Sequence, residues 1–462
     1  MRPPHRPARR RSTMTLPTSE FARRRRQLMR QIGERGIVIM PAAPVRLRNR
    51  DADYRYRQDS DFLYLTGFSE PEAVAVLIPG RPQGEFILFC RERDLAQETW
   101  HGRRAGQAGA VERYGADDSF PITDIDDILP GLLEDRDRVF YSMGRDAAFD
   151  RQLMEWINRL RAQSRSGRQS PHEFVSLEYL LHEMRLFKSA AELKLMRRAA
   201  EIAIEGHRRM MAVCSPGLYE YEIEAEFIYT ARRHRAELAY QSIVGGGENG
   251  CILHYVDNDA PLRDGELLLI DAGAEYAGYA SDITRTFPVN GRFTPAQREL
   301  YELVLDAQHA AIKKTRPGNH WNDPHTAAVR VLTRGLVELG LLKGQPAKLI
   351  REGAYQRFYM HRTGHWLGLD VHDVGEYKID GEWRLLEPGM VLTVEPGLYI
   401  NPARDVPKRF HNIGIRIEDD VRVTAKGCEV LTVDMPKAVD EIEALVGSLV
   451  ADPGATSVRR RA

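Results

Sequence analysis

Between residues 266 and 418, short apolar runs repeatedly end on an acid. In Glu266-Leu-Leu-Leu-Ile-Asp271 the run reads as a buried strand closing on a carboxylate. In Met390-Val-Leu-Thr-Val-Glu395-Pro-Gly, period-two alternation puts Val391, Thr393 and Glu395 on one face and Leu392 and Val394 on the other. In Ile413-Gly-Ile-Arg-Ile-Glu418, the isoleucines share one face, while Gly414, Arg416 and Glu418 share its opposite. Asp282, in Tyr279-Ala-Ser-Asp-Ile-Thr, follows Asp271 by eleven residues. A hairpin centred on Tyr276-Ala277 would oppose Asp271 and Asp282 with Cβ atoms about 4.5–5.5 Å apart. Taken singly, an acid at a strand end is more often a turn or cap residue. Four on inward-looking faces are costly without cations, because like charges out of water repel.

A metal ligand of another kind is available. His365 lies in His361-Arg-Thr-Gly-His-Trp-Leu-Gly-Leu-Asp-Val-His372-Asp, where glycines at 364 and 368 predict a loop running into a strand. Hard oxygens with one imidazole suit Mn²⁺, Co²⁺, Fe²⁺ or Zn²⁺ better than a thiolate-built structural zinc site. Two such ions about 3.5–4 Å apart would share one activated water and form a hydrolytic centre.

Two motifs are decoys. Gly245-Gly-Gly-Glu-Asn-Gly250 matches G-x-G-x-x-G, but Cys251-Ile-Leu-His-Tyr255 reads as strand where a dinucleotide site needs a helix. His361-x-x-x-His365 has zincin spacing, yet Arg362 stands where the catalytic Glu belongs and Gly364 disfavours a helix.

Asn249-Gly-Cys-Ile-Leu-His254-Tyr, Asp271-Ala-Gly-Ala-Glu-Tyr, Ser281-Asp-Ile-Thr-Arg-Thr-Phe-Pro-Val-Asn-Gly, the 361–373 segment, Leu386-Glu-Pro-Gly-Met-Val-Leu-Thr-Val-Glu-Pro-Gly-Leu-Tyr and Gly414-Ile-Arg-Ile-Glu-Asp-Asp together resemble the aminopeptidase P (Xaa-Pro aminopeptidase) group. These are pita-bread metallopeptidases, relatives of prolidase and methionine aminopeptidase. The resemblance extends to the N-terminal half through Asp51-Ala-Asp-Tyr-Arg-Tyr-Arg-Gln-Asp-Ser-Asp-Phe-Leu-Tyr-Leu-Thr-Gly-Phe-Ser-Glu-Pro-Glu-Ala. It implies two divalent metals, Mn²⁺ foremost: Asp271 as a terminal ligand on one, Asp282 and Glu418 bridging, and His365 and Glu395 completing the second. It implies that His254 and His361 contact substrate and His372 steadies the tetrahedral intermediate. Glu395 would carry a proton from water to the leaving nitrogen, and Arg416 would orient the carboxylates. The implied reaction releases the N-terminal residue from peptides with proline second. Prolidase, which takes Xaa-Pro dipeptides, and a non-catalytic peptide-binding protein on the same fold are the alternatives. A homo-oligomer, dimer or tetramer, is also implied, with Trp100 a candidate for contact with a neighbouring subunit.

The expected fold is an α/β N-terminal domain followed by an α+β catalytic domain built on a curved antiparallel sheet. Strands are predicted at 36–40, 73–78, 85–90 and 138–141, with helices near 20–34, 93–100 and 147–163. The stretch 163–171, Gln-Ser-Arg-Ser-Gly-Arg-Gln-Ser-Pro, is the most linker-like. Ser189-Ala-Ala-Glu192 is a capping box in front of an apolar-periodic helix, and further helices are predicted near 220–235, 295–314 and 323–341. The domains are accordingly set at 14–170 and 171–445, between a basic, disordered tail at 1–13 and a C-terminal tail at 446–462. The N-terminal stretch has no apolar core of a signal peptide, and Met14 is a second candidate start.

Lys plus Arg and Asp plus Glu both number 66, which argues against nucleic-acid or membrane partners held by bulk electrostatics. The longest apolar runs, 73–78 and 267–270, fall far short of the roughly 20 residues that span a bilayer. The four cysteines have no paired spacing and suit a reducing cytoplasm.

Overall fold

The computed structural model describes residues 15–450, so the expectations for the tail at 1–13, the start at Met14 and residues 451–462 lie outside the described residues. Two compact units divide between Arg185 and Leu186.

The N-terminal unit is built on a six-stranded mixed sheet, in the order 118–121, 86–90, 74–77, 36–41, 138–140, 173–175. Its central strands are β-branched and aromatic, and buried on both faces, with helices packed against them. Ile37, Ile39, Val76, Phe89, Leu129, Leu153 and Trp156 belong to one core. The expected boundary at 170/171 is corrected here. Residues 164–166 form a single 3₁₀ turn, and Glu173–Val175 then pairs in parallel with Arg138–Phe140 as the sixth strand. The chain leaves this unit only after Arg185, whose guanidinium meets the buried Asp61 at 2.8 Å. Trp100, on the helix Leu95–His101, is 83% exposed, and that helix buries no residue.

In the C-terminal unit the capping box at Ser189 and Glu192 opens a helix over Ala190–Val213 that buries Leu193, Met196, Ala200 and Ala203. Helices follow at Glu220–Arg233, Pro295–Lys314 and Asn322–Glu338. Its strands pair antiparallel throughout the described residues. Residues 447–450 fold back on the first of these helices, Gly447 N–H to Met211 O at 3.0 Å and Leu449 N–H to Ala212 O at 2.9 Å.

Three local expectations are corrected. The hairpin turns at Ala277-Gly278, both with positive φ (52° and 87°), the two-residue turn that matches strand twist. Asp271 therefore pairs with Thr284, two residues on from Asp282. A two-residue shift preserves parity, so both acids keep the same face and become diagonal neighbours. Residues 251–255 are not a strand: a 3₁₀ turn over Gly247–Cys251 runs into irregular chain, because Gly247 takes φ 54° and folds the backbone back on Gly245. The segment 361–373 reaches no strand beyond one bridge between Trp366 and Leu392.

Sheet breaks position the acids. Val391–Val394 pairs with Asp419–Val423, and Gly397–Ile400 pairs with Ile413–Arg416. Glu395-Pro396 and Ile417-Glu418 fall between them, at a point where Pro396 has no N–H to give the ladder. Asp282 similarly lies between Tyr279–Ala280 and Thr284–Pro288. Each break frees a carboxylate from the pleat.

Candidate metal centre

All nine residues singled out from the sequence line one cavity of about 670 Å³: Asp271, Asp282, His365, Glu395, Glu418, His254, His361, His372 and Arg416. The tightest group is Asp282, His365 and Glu418, whose ligand atoms all lie within 4.8 Å of one another. Glu395 flanks it, with Oε1 3.7 Å from His365 Nε2, and Asp282 Oδ2 lies 3.4 Å from the same nitrogen. Asp271 is joined to Asp282 through Tyr240, whose hydroxyl meets Asp271 Oδ1 at 2.5 Å and also contacts Asp282 Oδ1.

His365 Nδ1–H donates to Trp366 O at 2.9 Å, leaving the Nε2 lone pair to face the acids. The loop that carries it is clamped to the strand bearing Glu395. Thr393 N–H donates to His365 O at 2.9 Å, His365 N–H donates to Thr393 Oγ1 at 3.1 Å, and Glu395 N–H donates to Thr363 O at 2.8 Å. Gly364 makes this approach possible, since a Cβ there would sit 2.0 Å from Thr393 O.

The carboxylates are fixed individually. Thr284 Oγ1 donates to Glu418 Oε2 at 2.6 Å, and Asp282 N–H donates to both carboxyl oxygens of Asp420 at 3.2 Å. Arg416, buried, reaches Asp271 Oδ2 at 2.6 Å, Thr284 Oγ1 at 3.1 Å and Tyr399 OH at 2.9 Å. Behind them Arg285 spends all five N–H groups: on Glu418 O (2.5 Å), Thr284 O, Asp419 Oδ1, Met435 O and Pro436 O.

The electrostatics show what this donor set lacks. Burial, and then the charge of Asp271, push Asp282 well above the usual carboxylate range. Burial and the Asp282 carboxylate do the same to Glu418. Burial followed by Glu418 lifts Glu395 to about 8. A divalent cation among these oxygens would offset their mutual repulsion, because it is the opposite charge the cluster is missing. The residues fit a metal.

The histidines differ in their freedom. His254 and His372 are exposed at the cavity, with the His372 ring 4.3 Å from that of His365. His361 reaches the cavity, but both its nitrogens are engaged. Nδ1–H donates to Arg362 O at 2.7 Å, and Nε2 accepts from Tyr399 OH at 2.9 Å. Burial, and then Arg416, lower it to about 3, so the ring is neutral.

Tyr240, Thr284, Thr393, Tyr399 and Asp420 belong to the site and were not singled out as site residues from the sequence. Parity could have found two of them, since Thr284 and Thr393 each stand two residues from a predicted ligand on the same strand face. Tyr240 carries no such signal, lying in irregular chain 31 residues before Asp271.

Similar proteins give this geometry a context. A model of metallopeptidase family M24 matches residues 194–425, and one of the aminopeptidase P N-terminal domain matches residues 21–141. The Xaa-Pro aminopeptidase of Escherichia coli (strain K12) is 48% identical over 429 residues, covering 92% of this chain and 97% of its own. The structure of Pseudomonas aeruginosa aminopeptidase PepP is 60% identical, with a TM-score of 0.94, over 95% of this chain and 100% of that one. Zinc-substituted E. coli aminopeptidase P in complex with product is 47% identical, with a TM-score of 0.91, over 95% and 99%.

Proposed function

The chain belongs to metallopeptidase family M24, with an aminopeptidase P N-terminal domain, and from that premise we propose that it is an Xaa-Pro aminopeptidase. It releases the N-terminal residue from peptides with proline in second position. The observation that carries this reading is the convergence of Asp271, Asp282, His365, Glu395 and Glu418 on one 670 Å³ cavity.

Asp271, Asp282, His365, Glu395 and Glu418 would together hold two divalent cations. Mn²⁺ is the first choice for so oxygen-rich a donor set, with Co²⁺, Fe²⁺ and Zn²⁺ as substitutes. One of the similar structures is a zinc-substituted E. coli aminopeptidase P, which supports a divalent ion in this chain. When bound, such ions lower the pKa of water and polarise a carbonyl.

The protein's own groups do the rest. A peptide bond before proline has no N–H, so the enzyme must recognise it through the carbonyl and protonate the leaving nitrogen. Glu395 holds the proton taken from water on its carboxyl and delivers it to that nitrogen. His254 and His372 face the cavity and donate to substrate carbonyls as charge develops on oxygen. His361, neutral and tied to Tyr399, lines the same wall and contacts substrate there. Arg416 keeps Asp271 oriented.

The enzyme is assigned to the reducing cytoplasm, in keeping with its four free cysteines, and to a homo-oligomer, dimer or tetramer. The exposed Leu95 and Trp100 support an assembly contact. Assay of purified protein on Xaa-Pro-Xaa tripeptides beside Xaa-Pro dipeptides, with bound metal quantified, decides the activity. Tripeptide turnover is expected. Turnover of dipeptide alone makes the protein a prolidase, and metal-free binding without turnover makes it a peptide-binding protein.

A further inference from the structure

The cavity wall formed by Leu253, His254 and Val256 belongs to a loop with no strand to hold it. Ile252 and Val256 are exposed, while Tyr255 and, in part, Cys251 and Leu253 pack against Ile243, Leu269 and Tyr399. Its polar anchors are the buried Asn258, which accepts from Val244 N–H at 3.0 Å and donates to Ser242 O at 2.9 Å, and one carboxylate outside the cavity lining that ties both ends of the loop together. Glu220, the first residue of the helix Glu220–Arg233, is completely buried. Its Oε1 accepts from Gly246 N–H at 2.7 Å and Asn249 Nδ2 at 3.1 Å. Its Oε2 accepts from Tyr255 OH at 2.8 Å and Ala260 N–H at 2.9 Å. Those four donors come from both ends of the loop and fill the acceptor capacity of an ionised carboxylate. The Glu220 N–H adds a bond to Ala260 O at 3.0 Å.

We propose that Glu220 is a positioning residue for substrate recognition: it fixes the loop that presents His254 to the peptide, though it touches neither peptide nor metal. The proposal deepens the peptidase reading and rests on it. Glu220 is not among the residues that line the cavity, and its removal acts on the fraction of molecules with the wall in place. Apparent affinity falls by that fraction while the chemistry, once substrate is seated, is preserved.

Glu220→Gln tests this with little change of shape. The amide presents an NH₂ group to two of the four donors, and one side of the loop loses its acceptor. The expected result is a KM for an Xaa-Pro-Xaa tripeptide raised about tenfold, with kcat within about twofold and metal content unchanged. Tyr255→Phe, which deletes one donor only, should shift KM in the same direction by less, and it serves if Glu220→Gln does not fold. In a His254→Ala background, Glu220→Gln should add nothing further to KM, since the anchor acts through that side chain. A fall in kcat at constant KM, loss of metal, or fully additive effects with His254→Ala overturns the proposal. If the parent enzyme binds metal but cleaves nothing, the peptidase reading fails by itself. Hydrogen exchange then judges the anchor: faster exchange confined to residues 247–260 in Glu220→Gln supports it, and unchanged exchange there overturns it.

Discussion

Glu395 and Glu418 lie opposite one another at a break between two antiparallel strand pairs. Val394 pairs with Asp419 on one side of that break and Gly397 with Arg416 on the other, so the register is the same on both sides. Directly opposed like charges destabilise a sheet. Here the ladder opens at Pro396, and the two carboxylates turn into the cavity beside Asp282 and His365. The arrangement makes physical sense once cations fill the space between them.

Asp282 lies within reach of His365, Tyr240 and Glu418. Asp282→Ala is expected to reduce kcat/KM by at least about 10³-fold, roughly 4 kcal/mol of transition-state stabilisation. Circular dichroism should show the fold largely intact. An active variant with full metal content would remove Asp282 from the centre.

Arg416 spans three acceptors, Asp271, Thr284 and Tyr399, with a planar fork. Lysine places its donors on one atom and cannot span them. Arg416→Lys should therefore lose about 10- to 100-fold in kcat/KM, the usual cost of removing a group that orients ligands. Steady-state kinetics within twofold of the parent would mean that the fork is dispensable.

Arg285 and Asp419 form a fully buried pair at 2.8 Å, and the same guanidinium holds the Glu418 carbonyl. Arg285→Met leaves the buried Asp419 carboxylate with Lys437 Nζ, at 2.6 Å, as its remaining cation and takes a donor from four backbone carbonyls, and a loss of about 3 kcal/mol is expected. Urea denaturation of parent and variant measures it. A change below about 1 kcal/mol contradicts the reading.

His207 is completely buried on the helix Ala190–Val213, donating Nε2–H to Ala272 O at 2.9 Å. Burial lowers its pKa to about 4. The unfolded chain takes up a proton near pH 6.5 and the folded one does not, so this contribution is complete above 6.5. It is lost as pH falls towards 4 and is constant below that, for a total of about 3 kcal/mol. His207→Gln keeps an N–H donor and does not titrate. The melting temperature of the parent minus that of the variant should fall between pH 7 and pH 4.5, and a constant difference across that range would rule His207 out.

Much of this site was legible because strand parity and ligand chemistry are local. Alternation alone put Glu395 and Glu418 on faces turned away from apolar neighbours, and the helix Ala190–Val213 followed from its capping box. The hairpin register was two residues out because the turn was centred on Tyr276-Ala277, although Gly278 is the residue that accepts positive φ. The unit boundary was misplaced because Gln163–Pro171 has linker composition, whereas the following Glu173-Phe-Val175 is short and reveals itself only by pairing with Arg138–Phe140. The partners of the ligands were mostly hidden. Tyr240 and Asp420 reach the acids through tertiary packing, which no sequence period encodes.

The central claim is that these five side chains hold divalent cations on which peptide cleavage depends. The direct measurement strips the enzyme with chelator, titrates it with Mn²⁺, and follows bound metal and Xaa-Pro-Xaa hydrolysis together. The stripped enzyme is expected to be inactive, with recovery levelling off when two ions per chain are bound. Full hydrolysis by the stripped enzyme, or none by enzyme carrying both ions, would contradict the claim.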